Sequence, residues 1–407
     1  MSTSEQETKE IRPDTIWSAS YIALMAANFF SSMGQFMTST TIPVYLDHMG
    51  ESAGSVGVVV AAFFVAALLI RPIAGPAYDA FSKKKFMLIA QSGVCLSFFL
   101  YSMCTSVEAL FAVRIFHGIC GGTAIPLTLA LVADTLPSTK FASGISIYTL
   151  AQSVAQAIGP AVGLTLAEAV GFSTTYFLSG VCLAIAMCGI ALVKERPHKK
   201  LPYQFKLSRM FAREAVGKAT AICLFMLSFS CVNAYLVLYG NLRGIENVGL
   251  YFTVYAVCLL ATRTLYGKAA DNLGAERVLL FGVVCFGITF VLISQMSDFA
   301  SMMVVAVVSS LGAGACMPLA QTLALSSVPP ERRGAASNTS FTGMDLGQFV
   351  GPIVGGHVIE ALVPVSGSTV QAYSDMWLVM LIPIVIAFGM VISWNVKKSR
   401  AKGRNRE

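Results

Sequence analysis

The chain has 407 residues, of which 56% are apolar and 12% charged, with a formal net charge of +7. Its mean hydropathy is +0.71. Soluble domains carry about twice that share of charged residues. This composition therefore excludes a disordered chain, a secreted disulfide scaffold and a nucleic-acid-binding domain. The ten cysteines form no CxxC pair and nearly all lie within apolar runs, which favours packed free thiols over a zinc or redox site.

Twelve segments are apolar and long enough to cross a membrane as helices, which requires about 20 residues each. In chain order they cover residues 16–44, 54–76, 85–104, 107–132, 141–168, 172–193, 218–239, 248–268, 277–296, 299–326, 334–361 and 374–396. Most connections between them are short, except the segment 194–217 and the loop 362–373. The sequence therefore predicts an all-α membrane protein of two six-helix bundles. Its predicted parts are an N-terminal tail (1–15), a first bundle (16–193), a basic linker (194–217), a second bundle (218–396) and a basic tail (397–407).

The positive charges predict how these helices are oriented. Twelve spans place both termini on one side, which also receives Lys83–Lys85, Lys140, the linker and the Lys397–Arg406 tail. Only Arg114 and Arg243 lie clearly away from it. By the positive-inside rule this side is cytoplasmic, and its charges can also attract anionic lipid headgroups. The N-terminal tail lacks the features of a cleaved signal peptide, so we expect a multi-pass protein of the cytoplasmic membrane that keeps its first helix. The short loops favour a prokaryotic source.

An internal repeat relates the two halves at a constant offset of 192 residues. The matched pairs are Gly57 with Gly249, Arg71 with Arg263, Gly75 with Gly267, Asp79 with Asp271, Gly122 with Gly314, Pro126 with Pro318, Gly159-Pro160 with Gly351-Pro352, and Gly163 with Gly355. The offset holds without a gap through spans two to five of each half, so we interpret it as a duplication. Two parallel six-span repeats are typical of secondary transporters.

Five short motif segments lie in register on these spans. The loop after the second span reads GPAYDAFSKKK, and its second copy reads GKAADNLGAER. The fourth span contains RIFHGICGG, while the fifth and eleventh contain AQAIGPAVGL and GQFVGPIVGG. Together they resemble the major facilitator superfamily, with its GxxxDRxGRR loop, RxxxGxxxG element and antiporter-associated GxxxGPxxGG motif. Ala80 and Asn272 stand where that family usually has Arg. The resemblance covers essentially the whole chain, and it implies two pseudo-symmetric bundles that work by alternating access.

The matched aspartates and glycines predict moving parts. Asp79 and Asp271 lie at cytoplasmic helix ends, where a carboxylate can bind the free N–H groups of a neighbouring helix N-terminus. The alternative is ordinary positive-inside charge. The predicted conformational latch consists of Gly75, Asp79, Lys83, Lys84, Gly267 and Asp271. Proline kinks a helix and glycine permits close packing, either for pivoting or for static contact. The predicted helix hinges are Gly159, Pro160, Gly163, Gly351, Pro352 and Gly355.

Three ionisable residues are predicted near the middle of the membrane. Asp345 and Arg114 lie about 16 Å and about 12 Å inside their predicted spans, at 1.5 Å per residue. Charged side chains at that depth face a cavity or a partner and are functional candidates. Arg114 is the one fixed cation that the sequence offers to Asp345, with a contact to Asn28 as its alternative role. His117, one turn after Arg114, either titrates near neutral pH or is a packed hydrogen-bonding group.

Uncharged polar residues within the spans predict a substrate cavity, although any of them could instead bond between helices. The predicted lining consists of Asn28, Gln35, Thr38, Gln152, Gln156, Asn233, Tyr235 and Gln348. With 26 Phe, 18 Met and few fixed charges, the walls favour an amphipathic substrate over a sugar or a phosphate. Glu108, Glu168 and Glu360 lie near the outer surface and are interpreted as ordinary solvated charges.

These observations predict a secondary active transporter that exports a small amphipathic organic compound, drug-like or a metabolite, while Asp345 exchanges a proton. A proton-coupled nutrient importer is the alternative, and a non-transporting membrane receptor is a more distant one. An enzyme is not expected, because the four histidines are scattered and no GxSxG elbow is present. The absence of GxxxxGK[ST] excludes a nucleotide-driven pump. The expected partners are the substrate, protons and membrane lipids, with no cofactor, metal, nucleic acid or obligate protein partner.

Overall fold

The computed structural model describes residues 16–80, 82–136, 141–193, 211–329 and 332–404. Inside its helices, the description omits the side chains of residues 75–80, 83, 125–126, 129–130, 133–134, 141–143, 145–146, 263–264, 333–334 and 397–404. The predicted N-terminal tail, Lys140 and most of the predicted linker lie outside the described residues.

Thirteen α-helices follow one another through the described ranges. They are α1 (Ala19–His48), α2 (Ala53–Ala80), α3 (Lys83–Tyr101), α4 (Val107–Thr135), α5 (Phe141–Val170), α6 (Phe172–Leu192), α7 (Val216–Leu242), α8 (Leu250–Leu273), α9 (Ala275–Ser294), α10 (Phe299–Leu325), α11 (Arg333–Ser366), α12 (Thr369–Val379) and α13 (Leu381–Arg404). A single 3₁₀ turn, Arg213–Ala215, precedes α7. No strand occurs in the described part of the chain, and the all-α prediction is confirmed.

Ten helical segments among the described residues are long and apolar enough to cross a membrane, with α12 and the first part of α13 counted as one. The two other predicted spans are α1 and α3. The first carries a row of polar residues, and the second has only 19 residues and begins with three lysines. Both nevertheless pack within the bundle, α1 against α5 and α6, and α3 against α4 and α6.

The last predicted loop and the last predicted span differ from the structure. The loop 362–373 is almost entirely helical, because α11 continues to Ser366 and α12 begins at Thr369. Gly367 ends α11 in the left-handed conformation, with φ of 67°, and the Ser368 side chain then caps α12. The twelfth span is broken at Met380. Pro383 explains the break, because it cannot donate the hydrogen bond that would continue the helix.

The helix starts follow the sequence repeat. The helices α3, α4 and α5 begin at residues 83, 107 and 141, and α9, α10 and α11 begin at 275, 299 and 333. Two seams join the halves, one where α2 packs on α11 and one where α5 packs on α8. Since α8 is the repeat counterpart of α2, and α11 that of α5, the two seams are counterparts as well.

The seams close tightly at one end of the molecule. We call the end where α1 and α11 begin the terminal face, and the other end the opposite face. Near the opposite face, a Cβ added to Gly57 would lie 2.2 Å from the Pro352 carbonyl oxygen, and one added to Gly249 would lie 2.9 Å from Ala161 Cα. Repeat-related glycines thus let both seams approach at backbone distance there.

A further contact on the α2–α11 seam involves a carboxylate. Glu360 Oε1 accepts a hydrogen bond of 3.1 Å from the Gly54 N–H, in the first turn of α2. A carboxylate is stabilised at that position by the unpaired N–H groups and the helix dipole. Glu360 is exposed, in keeping with the expected solvated charge, and through this hydrogen bond it also joins the two halves at the opposite face.

Candidate substrate cavity and its buried ion pair

Two adjoining cavities lie on the terminal side of the closed seams, a central one between the halves and a terminal one mainly among helices of the first half. The central cavity has a volume of about 520 Å³ and the terminal cavity about 480 Å³. Both are lined by Ser32, Gln35, Arg71, Gln152 and Phe341. The central cavity is lined by both aromatic and polar side chains, and the terminal cavity is rich in amides and hydroxyls. Together they form a space with polar walls throughout and an aromatic wall in its central part.

A row of polar residues on one face of α1 lines both cavities, where Asn28, Ser31, Ser32, Gln35 and Thr38 follow helical spacing. Asn28 Nδ2 donates to the Tyr148 carbonyl oxygen at 3.0 Å, and Gln35 Nε2 donates to Ser31 Oγ at 3.3 Å.

Gln91 on α3 adjoins this polar face and also lines the terminal cavity. Its Nε2 donates to the same Ser31 Oγ at 3.2 Å. The sequence interpretation did not include Gln91, although a buried amide in a membrane helix is the same signal that identified Gln35 and Asn28. These bonds fix the amides along the cavity wall.

Seven of the eight predicted lining residues face these cavities. Asn28 lines the terminal cavity, Gln35 and Gln152 line both, and Thr38, Gln156, Asn233 and Gln348 line the central one. Tyr235 is the exception. It is fully buried between α2 and α11, with its hydroxyl oxygen 2.6 Å from the Pro352 carbonyl oxygen and 3.0 Å from that of Ala53. Tyr235 therefore contributes to closure at the opposite face.

A buried ion pair crosses the space between the halves. Arg71 on α2 donates from Nη1 to Asp345 Oδ2 on α11. Asp345 is 1% exposed, and the Arg71 guanidinium carbon lies 5.6 Å from the centroid of the Phe341 ring. Among the described residues, Arg71 Nε has no hydrogen-bond partner. The pair thus leaves one buried donor unused at the boundary of the two cavities.

The expectation that Arg114 is the available cation for Asp345 is wrong. Arg114 donates to the carbonyl oxygens of Val60 and Val59 at 3.0 Å and 3.4 Å, and its guanidinium lies 5.3 Å from the Phe63 ring centroid. It therefore anchors α4 to α2 and makes no hydrogen bond to Asn28, while still lining the central cavity.

Arg71 was overlooked because the second span was predicted to end at residue 76. The helix α2 continues to Ala80, which places Arg71 nine residues from its end, or about 14 Å. That depth matches the depth of Asp345, which lies about 18 Å along α11 from its start.

His117 occupies an aromatic cage beside the central cavity. Its ring centroid lies 4.7 Å from that of Phe63 and 5.0 Å from that of Phe98, and Nδ1 lies 3.2 Å from the Tyr101 hydroxyl oxygen. Within the described part of the chain, Nε2 has no hydrogen-bond partner.

The predicted hinge glycines lie where helices pack closely. An added Cβ would lie 2.6 Å from the Met37 carbonyl oxygen at Gly163, and 2.1 Å from the Leu227 carbonyl oxygen at Gly351. Gly159 and Gly355 make similar close contacts with α1 and α7. The helices run without interruption through Pro160 and Pro352.

The predicted latch is described only in part. The side chains of Gly75, Asp79 and Lys83 lie outside the described residues. Lys84 Nζ donates to the Ala191 carbonyl oxygen at 2.7 Å, in the last turn of α6, where a cation is favoured. Asp271 and Gly267 are exposed, and nothing in the described ranges lies within 4 Å of a Cβ added to Gly267.

Comparison with known proteins identifies the family. A model of the Major Facilitator Superfamily matches residues 24–248 and 219–407. The chain belongs to the major facilitator superfamily. It is accordingly a membrane transporter and not an enzyme.

Relatives within this family cover most of the chain at low identity. The chain is 22% identical to Multidrug resistance protein 2 of Bacillus subtilis, over 95% of its own length and 97% of the relative. It is 23% identical to the quinolone resistance protein NorA of Staphylococcus aureus, with 82% and 88% covered. The crystal structure of a mutant nucleoside transporter NupG has the same fold, with a TM-score of 0.79, 13% identity, and 92% and 99% covered.

Proposed function

We propose that this major facilitator exports a small amphipathic organic compound in exchange for protons. The observation that carries the proposal is the buried Arg71–Asp345 pair, which joins the two halves inside a cavity with aromatic walls. The drug-resistance names of two relatives support export of drug-like or metabolite-like compounds. The basic terminal face supports an orientation with both termini in the cytoplasm of a prokaryotic cell.

The ion pair supplies a coupling element for alternating access. Asp345 on α11 and Arg71 on α2 hold one seam together while the carboxyl is charged. A proton that binds Asp345 removes the charge and weakens the pair, which frees α2 to move relative to α11. Substrate arrival and proton release then restore the charged state. The exchange needs no cofactor, because the proton is the only group that binds to Asp345 and leaves it by a chemical step.

The matched loops and glycines supply the other moving parts. Asp79 and Asp271 act as latches at the terminal face, in the state in which a helix N-terminus comes within reach. Gly159-Pro160 and Gly351-Pro352 act as pivots, because α5 and α11 approach α1 and α7 closely at these glycines. His117 is the second candidate for proton binding, since its Nε2 is buried without a partner in the described part of the chain.

Transport by purified protein in liposomes tests the proposal. Aromatic amines, dyes and amphipathic metabolites are screened with an imposed pH gradient of either sign. We expect accumulation only when protons and substrate move in opposite directions. Accumulation only when they move together would contradict export and favour the nutrient importer. Lack of transport for every amphipathic compound would contradict the substrate class.

A further inference from the structure

The central cavity contains a charge pair that a bound ligand must either leave intact or replace. Asp345 is 1% exposed and the Arg71 side chain 15% exposed, so water screens neither charge effectively. A cation that displaced Arg71 from Asp345 would leave the guanidinium buried and unpaired, and an anion would leave the carboxylate in that state. Removing one partner of a buried pair is strongly unfavourable. A ligand that carries a single charge is therefore expected to bind poorly between Arg71 and Asp345 when it separates them.

A zwitterion avoids this cost, because it brings a partner for each charge. Its ammonium group pairs with Asp345 while its carboxylate pairs with Arg71, so one buried ion pair becomes two. The guanidinium is suited to this, since it binds carboxylates through two parallel N–H groups. Arg71 Nε has no partner among the described residues and is available for the second bond.

The side chains around the pair indicate that the same ligand also carries an aromatic ring system. Phe341 lies against Arg71 and lines both cavities. In the central cavity, Phe229 and Tyr255 form a further aromatic wall, with ring centroids 5.8 Å apart. The adjoining volumes of about 480 and 520 Å³ lie within the range of sites for drug-sized molecules.

We propose that the substrate is a zwitterionic aromatic compound whose ammonium group binds Asp345 and whose carboxylate binds Arg71. This rests on the proposed function only in placing the substrate in the central cavity. Arg114 lines the same cavity but is held by two carbonyl oxygens of α2. Its positive charge gives the alternative outcome, a preference for anions.

Three fluorescent probes with the same ring system test the proposal. They are Nε-dansyl-lysine, a zwitterion, dansylcadaverine, a cation, and 6-(dansylamino)hexanoic acid, an anion. Binding to the purified full chain is measured by dansyl fluorescence. We expect the zwitterion to bind the unmodified protein about tenfold or more tightly than either other probe, because only the zwitterion compensates both charges. Arg71→Gln should transfer the preference to the cation, and Asp345→Asn should transfer it to the anion.

Matched controls come from an exposed ion pair in the same protein. Arg332 donates to Glu214 at 2.6 Å, and both side chains are nearly half exposed. Arg332→Gln and Glu214→Gln make the same chemical changes outside the cavity and should leave the order of the three probes unchanged. The double variant Arg71→Gln/Asp345→Asn has no buried charge to compensate and should bind the three probes alike. Its binding of the probes shows that the cavity still folds when both charges are replaced, so a single variant that merely misfolds can be recognised.

Several results would overturn the zwitterion proposal. These are equal binding of the three probes by the unmodified protein, tighter binding of the cation or the anion, no binding of the zwitterion, or single variants that keep the original order. Each of these results would still be compatible with export of another amphipathic compound. The failure of this proposal and the failure of export are therefore distinguishable.

Discussion

At the scale of single residues, the interior of this transporter is organised by polar groups with defined partners. Asn28 binds the Tyr148 carbonyl oxygen, Arg114 binds two carbonyl oxygens of α2, and Arg71 binds Asp345. The first two contacts lie within one half of the molecule. The third joins the halves, and we therefore expect it to change during transport.

The Arg71–Asp345 pair gives a prediction about stability. Arg71→Gln leaves Asp345 buried without its cation, which costs about 3–5 kcal/mol at neutral or alkaline pH. The deficit should shrink as the pH falls, because protonation of the unpaired carboxyl removes its charge. Thermal unfolding followed by tryptophan fluorescence measures the effect, since Trp377 is fully buried.

Two further variants control this measurement. Arg71→Gln/Asp345→Asn should recover most of the lost stability. Arg332→Gln, which breaks an exposed pair, should cost about 1 kcal/mol or less. Equal losses for Arg71→Gln and Arg332→Gln would show that the cavity pair is no more important than a surface contact.

At the scale of helices, close contact between α-helices depends on glycines that the repeat duplicates. Gly351→Ala would place a Cβ 2.1 Å from the Leu227 carbonyl oxygen, which forces α11 away from α7. Overpacking of this kind costs about 1–3 kcal/mol. Gly389→Ala on α13 is the matched control, because no described atom lies within 4 Å of its added Cβ. Equal melting temperatures for the two variants would contradict the proposed close approach.

Closure of the opposite face gives a second prediction for helices. Glu360→Gln weakens the contact with the Gly54 N–H, so the first turns of α2 should open more often. Hydrogen–deuterium exchange of residues 53–60 should rise several-fold. Glu168, the repeat counterpart of Glu360 on α5, is exposed and provides the control substitution Glu168→Gln. The same exchange in both variants would show that Glu360 does not hold this face closed.

The helices were largely predictable, because apolar length, polar interruptions and glycine-proline motifs are local signals. Neither the break at Met380 nor the full extent of α2 was predicted, and both depend on where a helix ends. Arg71 was missed as the partner of Asp345 because α2 was predicted to end too early, which placed Arg71 near the surface. Tyr235 was misplaced because a polar hydroxyl in a membrane helix is compatible with either a cavity or a contact between helices.

At the scale of the whole molecule, the duplication that relates the two halves does not extend to Asp345. The α2–α11 seam carries Asp345, while the repeat places Ser153 at the corresponding position of the α5–α8 seam. The second seam is joined instead by Thr253, whose hydroxyl donates to the Ala157 carbonyl oxygen at 2.6 Å. In the proposed mechanism a proton therefore acts on the α2–α11 seam, through Asp345.

Transport by Asp345→Asn in inverted membrane vesicles tests the central claim most directly. Asparagine resembles the protonated carboxyl and cannot release a proton. The variant should lose substrate accumulation driven by the pH gradient while it keeps downhill exchange of labelled for unlabelled substrate. Asp375→Asn, a surface carboxylate on α12 that accepts from Gln371, should behave like the unmodified protein. If Asp345→Asn still concentrates substrate at the unmodified rate, then proton exchange does not occur at Asp345.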